Sequence, residues 1–221
     1  MPLPKLRKRF LTSSKAKIRT NQKVLSFGED LGEAMNQFRN IYFLGIGGIG
    51  MSAIARWFNK QGFHVGGYDK TATALTAELI EEGMDIHFDD KVGRIPTAFY
   101  KKDETLVVLT PAVPKDNIEL LHFEKEGYQI MKRSQVLGLI TEDLITIAVA
   151  GTHGKTTTSS MIAHILKTAG YNVSAFLGGI TANYNTNLLI GKAADAKGKL
   201  SETHLCVVEA DEFDRSFLTL Y

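Results

Sequence analysis

An α/β fold in which helices cover parallel sheets is the class this sequence predicts, and three observations carry the prediction. From Ile41 onward, short β-branched or aromatic runs alternate with amphipathic helical stretches. Two glycine-rich loops each follow an apolar run and open a helix-like stretch. The chain of 221 residues is 44% hydrophobic and 23% charged, an ordinary globular composition with enough apolar residues for one large domain or two modest ones.

Residues 1–34 stand apart. They hold eight Lys and Arg against three Asp and Glu, a net charge of +5, so the remainder carries 18 basic and 21 acidic side chains. The opening "MPLPKLRKRFLTSSKAKIRT" has no acidic residue and no helical stripe. Such a segment buries too little apolar surface to repay its ordering, and a mobile basic tail is expected.

From residue 35 to 141 the sequence predicts a first α/β domain. Its strands are "IYFL" (41–44), "HVGGYD" (64–69), "DIHF" (85–88), "TLVVL" (105–109) and "YQIM" (128–131). In "MSAIARWFNKQG", Met51, Ile54, Ala55 and Phe58 fall at helical spacing, and Gly62 follows as a stop. A second domain is expected from 142 to 221. "LITIAVA" (144–150) is a continuous apolar run suited to a strand buried on both faces, and Met161, Ile162, Ile165 and Leu166 mark the buried face of the next helix, which Gly170 ends. "YNVSAFLGG" and "THLCVVEADEFD" supply two more strands. A sheet of about three strands leaves edges uncovered, and the chain stops at "SFLTLY" without a turn signal, so a truncated second domain is expected.

The first loop, Gly45-Ile46-Gly47-Gly48-Ile49-Gly50, fits Gly-x-Gly-x-x-Gly between a strand and a helix, a Rossmann-like placement. Glycines there let the backbone approach a diphosphate, which the helix N-terminus attracts with free N–H groups. Asp69 ends the next strand 24 residues after Gly45, where a carboxylate meets a ribose. By these residues alone the ligand is a dinucleotide, and an NAD-binding oxidoreductase or sensor is one reading.

The second loop lies in "AVAGTHGKTTTSSM". Gly154-Lys155-Thr156 reads as a triphosphate grip: Lys155 neutralises β/γ-phosphate charge, Thr156 sets a hydroxyl on Mg²⁺, and amides from Gly151 through Thr152, His153 and Gly154 to Thr157 face the phosphates. The glycine that usually opens such a loop is displaced, since Val149 stands there and the nearest glycine is Gly151. His153 contacts the loop or phosphate rather than moving a proton. The acidic metal partner is expected at a neighbouring strand end, and "LCVVEAD" offers Glu209 and Asp211.

"GTHGKTTT" with its displaced glycine, "IYFLGIGGIGMSAIARW" and "VVEADEFDRSFLTLY" together resemble the Mur ligases, which assemble the peptide of bacterial cell-wall precursors. The resemblance covers nearly everything from Met35 to Tyr221. It implies that the first loop holds a UDP-sugar rather than NAD. Gly47, Gly48, Ile49, Gly50, Met51 and Ser52 then line the diphosphate, and Asp69 lies near the uridine ribose. Thr110, Pro111 and Ala112 close over the nucleotide, while Asn187 and Gly191 face the muramoyl end.

The implied activity is an ATP- and Mg²⁺-dependent ligase that joins L-alanine to UDP-N-acetylmuramate through an acyl phosphate, with Lys155, Thr156 and Glu209 as catalytic residues and Thr156 and Glu209 on the metal. A relative that recycles whole murein tripeptide is the alternative, but it carries a cysteine and Thr-Phe-Met where this chain has "GIGGIGMS". A complete enzyme of the family continues with a further metal-binding histidine and an amino-acid-binding domain, so the chain alone is expected to be inactive.

Other classes are disfavoured. The folded part is net acidic, unlike a nucleic-acid binder, and the longest apolar runs are too short to span a bilayer. A cytoplasmic protein with small-molecule partners, monomeric or homodimeric, is expected. Cys206 has no second cysteine to pair with and sits in an apolar run as a small buried hydrophobe.

Overall fold

Five strands lie between residues 40 and 132: β1 (Asn40–Leu44), β2 (His64–Tyr68), β3 (Asp85–His87), β4 (Thr105–Leu109) and β5 (Gln129–Lys132). In this computed structural model, which describes Met35 and residues 37–142, 144–191 and 204–210, they pair in parallel in the order β3-β2-β1-β4-β5. Each expected strand is present to within a residue or two. The order reverses between β1 and β4, and in such sheets the crevice beyond the carboxyl ends at that reversal is where ligands bind.

Helices α1 (Ile49–Lys60), α2 (Ala74–Glu81) and α3 (Ile118–Glu126) lie between these strands, and α4 (Arg133–Thr141) follows β5. Met51, Ile54, Ala55 and Phe58 of α1 are buried, as their spacing predicts. Thr73 caps α2 by accepting from the Thr76 amide at 3.2 Å, and Asn117 caps α3 by accepting from the Leu120 amide at 2.8 Å. Under the sheet, Tyr42, Tyr68, Phe99, Val107 and Phe123 share one apolar cluster. A polar group is buried with them: the Tyr42 hydroxyl donates to Glu119 Oε2 at 2.7 Å and also lies 2.7 Å from His87 Nε2. Burial pushes the Glu119 carboxyl up to about 7 and the His87 imidazole below its ordinary value.

The second sheet comprises β6 (Ile145–Val149), β7 (Asn172–Thr181), β8 (Thr186–Leu189) and β9 (His204–Glu209) in the order β6-β9-β7-β8. Helix α5 (Lys155–Thr168) follows β6 and packs on β7 and β9. Helix α1 of the first sheet packs against β7 and β8, and the two sheets lie in one compact unit. The basic tail, Asp211 and the chain end "SFLTLY" lie outside the described residues.

Three expectations need correction here. β6 is not buried on both faces: Ile145 is 60% exposed, and among the described residues β6 pairs with β9 alone. An apolar run does not by itself distinguish a central from an edge strand. Helix α5 buries Ser159 and Ala163, with Ile162 and Leu166 at the flanks, whereas Met161 and Ile165 face outward at 55% and 64% exposure. The Ser159 hydroxyl donates to Glu209 on β9, which fixes the helix's rotation and turns the opposite stripe away. Finally, β8 runs antiparallel to β7, a hairpin partner the parallel reading did not include.

Candidate functional site

The first loop leaves β1 and enters α1 at Ile49, with Gly48 as the cap residue in extended conformation. Gly45 takes φ +85°, a left-handed conformation, and a Cβ there would stand 2.7 Å from Thr110 Cγ2. The glycine therefore lets the turn after β4, which carries Thr110, Pro111 and Ala112, close against the loop. Both segments sit at the reversal of strand order. Pro111, Ala112, Gly48 and Ile49 are exposed, and Gly47, Gly50 and Thr110 partly so.

Asp69 reaches this loop, but its carboxylate is already engaged by protein. Oδ2 accepts from the Gly47 amide at 2.8 Å and Oδ1 from the Thr71 amide at 3.0 Å. Asp69 thus pins the loop, a role additional to the expected ribose contact. Met51 and Ser52 are buried, Met51 at 2% exposure, so their side chains cannot line a ligand. They lie within the first turn of α1, on the face packed against the core, and only backbone remains available there.

The second loop joins β6 to α5. Val149 is the last residue of β6 and is in register with Glu209 of β9, so the usual opening glycine would fall inside a strand. The loop starts two residues later at Gly151, whose φ of +138° is accessible to glycine and strained for side chains. The displaced glycine is thus a consequence of β6 running to residue 149. Gly154 caps α5 with φ +77°, and Lys155 Nζ donates to the Gly151 carbonyl at 2.6 Å, folding the loop around its lysine. Thr152, His153, Gly154 and Thr157 are exposed.

Glu209 ends β9 beside this loop. Its Oε2 accepts from Thr156 Oγ1 at 3.2 Å, and its Oε1 from Ser159 Oγ at 3.0 Å and the Gly178 amide at 2.7 Å. Thr156 and Glu209, 53 residues apart, therefore meet as the sequence predicts. Ser159, Gly178 and Gly179 were missed. A Cβ on Gly178 would fall on the Glu209 carboxylate and one on Gly179 would stand 3.1 Å from Thr156 Cγ2. Paired glycines inside the strand "NVSAFLGGIT" were the available signal, because they mark close approach of another group.

A hydroxyl and a carboxylate, both hard oxygen donors beside a lysine loop, fit Mg²⁺, which takes one or two protein oxygens and completes its shell with phosphate and water. Among the described residues no three His, Cys, Asp or Glu side chains form a protein-only metal cage.

A cleft of about 180 Å³ is lined by Ile49 and Gly50 of the first loop and α1, by Arg133 of α4, and by Phe176, Gly178 and Glu209 of the second sheet. The Arg133 guanidinium lies over Gly50, where a Cβ would collide with it. Sequence reading passed over Arg133.

Asn187 and Gly191 do not face this cleft. Asn187 is fully buried and its amide is committed to Arg56, Ile49 and Ser52. Gly191 follows β8 and lies beside the start of β7, its amide donating to Ser174 Oγ at 3.0 Å, away from the end where Gly178 meets Glu209.

Two glycine loops at strand ends on adjoining sheets constrain the family. Residues 40–143 match the Mur ligase family catalytic domain, and residues 149–218 match the Mur ligase middle domain. The chain belongs to the Mur ligase family. Mur ligases are ATP-dependent ligases.

The chain is 55% identical over 186 residues to UDP-N-acetylmuramate–L-alanine ligase of Cytophaga hutchinsonii, covering 84% of this chain and 39% of that protein. It is 52% identical over 179 residues to the Porphyromonas gingivalis protein of the same name, covering 81% and 37%. It spans about two fifths of the length of these relatives.

Among solved structures, UDP-N-acetylmuramate-alanine ligase of Thermotoga maritima superposes with a TM-score of 0.65 at 32% identity, covering 77% of this chain and 37% of that one. UDP-N-acetylmuramate:L-alanyl-gamma-D-glutamyl-meso-diaminopimelate ligase from Neisseria superposes with a TM-score of 0.71 at 26% identity, covering 80% and 54%. Backbone shape thus accommodates both kinds of Mur ligase. No described helix is long and apolar enough to cross a membrane.

Proposed function

We propose that this chain carries the UDP-sugar loop and the ATP loop of a ligase that joins L-alanine to UDP-N-acetylmuramate. The observation that supports it best is that one cleft is lined both by Ile49 and Gly50 of the first loop and by Glu209, which in turn holds Thr156 of the second loop. In this reading residues 35–141 bind the UDP-sugar and residues 142–221 form part of the ATP-binding domain. A cytoplasmic reaction fits this reading, since ATP is available there.

The chemistry follows from that juxtaposition. The substrate carboxylate attacks the γ-phosphorus of ATP, the bond to the β,γ-bridging oxygen breaks, and ADP leaves an acyl phosphate. The amine of L-alanine then adds to the acyl carbon, loses a proton and expels phosphate, leaving the amide. Two anions meet in the first step, so positioning and charge neutralisation dominate. Lys155 spreads the charge of the transferring phosphoryl group, and the amides from Gly151 to Thr157 hold the phosphates at the N-terminus of α5. Thr156 and Glu209 would hold Mg²⁺, which neutralises β- and γ-oxygen charge when bound. The amides of Ile49 and Gly50 at the start of α1 receive the UDP diphosphate, while the Gly48 amide closes the turn on the Gly45 carbonyl and Asp69 keeps Gly47 in place.

Titration of the chain with UDP-N-acetylmuramate and with NAD tests the reading. Saturable UDP-sugar binding without NAD binding is expected, and the converse overturns it. The recycling ligase is the second reading, favoured by the higher TM-score of the Neisseria enzyme. The 55% identity to L-alanine ligases weighs against it. The chain spans only two fifths of those relatives, and the purified 221-residue protein is expected to form no amide.

A further inference from the structure

Asn187 lies on β8 in the second sheet, yet its side chain is spent on the helix that opens from the first loop. Its Nδ2 donates to the Ile49 carbonyl at 2.7 Å and to Ser52 Oγ at 2.9 Å, using both protons. Its Oδ1 accepts from Arg56 Nη1 at 2.7 Å. Arg56 is 5% exposed and held in turn by Glu82 at 2.7 Å and Glu78 at 2.8 Å. Ile49 is the first residue of α1 and directly follows Gly48, so its peptide orientation sets where the loop amides point. Ser52 Oγ donates to the same Ile49 carbonyl at 2.9 Å, which therefore receives two side-chain donors.

Only a carboxamide serves this position. It must donate twice toward Ile49 and Ser52 while accepting from a buried guanidinium. A leucine would satisfy none of these groups, and a carboxylate would satisfy Arg56 while setting an oxygen against the Ile49 carbonyl.

We infer that Asn187 is a positioning residue for the UDP-sugar loop, supplied by the sheet that carries the ATP loop. The inference rests on the functional reading above. It gives the stretch "NTNLLIG" a role without ligand contact, because Asn187 acts through the first turn of α1. It also ties the first turn of α1 to the sheet whose other strands carry the ATP loop.

The test uses Asn187→Asp in the full chain, with UDP-N-acetylmuramate and Mg·ATP titrated separately. The aspartate keeps the Arg56 partner, so the fold is retained and the Kd for Mg·ATP stays within about twofold of the parent. The Kd for the UDP-sugar rises about tenfold, the effect of one lost hydrogen bond at the loop. Asn187→Gln, which restores the carboxamide on a longer arm, recovers part of the loss.

An unchanged UDP-sugar Kd, or equal losses for both nucleotides, overturns the inference while leaving the functional reading intact. Failure of the parent chain itself to bind UDP-sugar overturns the functional reading instead. Should the aspartate variant not fold, Ser52→Ala carries the test, since it removes one of the two donors to Ile49; a selective rise in UDP-sugar Kd supports the inference and no change overturns it.

Discussion

Replacing Gly178 by alanine strikes the Thr156–Glu209 pair proposed to hold Mg²⁺ without replacing any charged residue. The new Cβ would stand 2.8 Å from Glu209 Cδ and 2.9 Å from Oε1, well inside van der Waals contact. Glu209 is attached to the adjacent strand and its backbone cannot retreat, so its carboxylate must rotate away. Rotation breaks the 2.7 Å bond from the Gly178 amide and the bonds from Thr156 and Ser159. A hydrogen bond to a charged group contributes about 1.5–3 kcal/mol.

Losing one such bond's worth of orientation should weaken Mg·ATP binding by about tenfold to about a hundredfold, at 1.4 kcal/mol per factor of ten. Isothermal titration with Mg·ATP, and again with ATP and EDTA, isolates the effect. The loss should appear with Mg²⁺ and largely vanish without it, while UDP-sugar affinity is unchanged. Equal affinity of the variant and parent for Mg·ATP would refute the account of Gly178 as the residue that makes room for Glu209.

Other consequences are testable in the same preparations. Asp69→Ala frees the Gly47 and Thr71 amides and should raise the UDP-sugar Kd about tenfold while leaving Mg·ATP binding alone, measured by titration. In an active ligase carrying this sequence, Lys155→Ala should lower kcat a hundredfold or more, with a smaller change in the KM for UDP-sugar.

Glu119 has its carboxyl raised from 4.5 to about 7 by burial, so the folded chain holds a proton that the unfolded chain releases. That contribution is complete below about pH 4.5 and is lost as pH rises through about 7, an upper bound of about 3 kcal/mol. His87, whose value is lowered, acts in the opposite direction on the acid side. Glu119→Gln should therefore flatten the fall in Tm between pH 5 and pH 8, and identical slopes would contradict the assignment. Cys206 is fully buried with its thiol pushed up to about 12, so it should resist iodoacetamide until the chain unfolds.

The first sheet was readable because its strands are short apolar runs punctuated by glycine and charge, and because helix α1 shows its buried face at regular spacing. The second sheet was less so. The apolar run 144–150 says that a strand exists but not that, among the described residues, it pairs with β9 alone. The stripe of Met161 and Ile165 competes with Ser159 and Ala163, and the outcome is set by a hydrogen bond from Ser159 to a residue 50 positions away.

At the site, Gly-Lys-Thr and the acid closing an apolar strand were legible because their chemistry requires those residue types in that order. Asn187, Ser52 and Arg133 were not. The contacts of Asn187 and Ser52 arise where β8 packs against α1 and that of Arg133 where α4 meets the first loop, and a sequence motif carries no record of either. Gly178 lay between, since a doubled glycine in a strand announces close approach without naming the partner.

The central claim is that two separate phosphate loops serve two different nucleotides on this chain. Titrating UDP-N-acetylmuramate into the protein already saturated with Mg·ATP tests it most directly. The account predicts a stoichiometry of one for each nucleotide and no mutual displacement. Competition between them for a single site would contradict it.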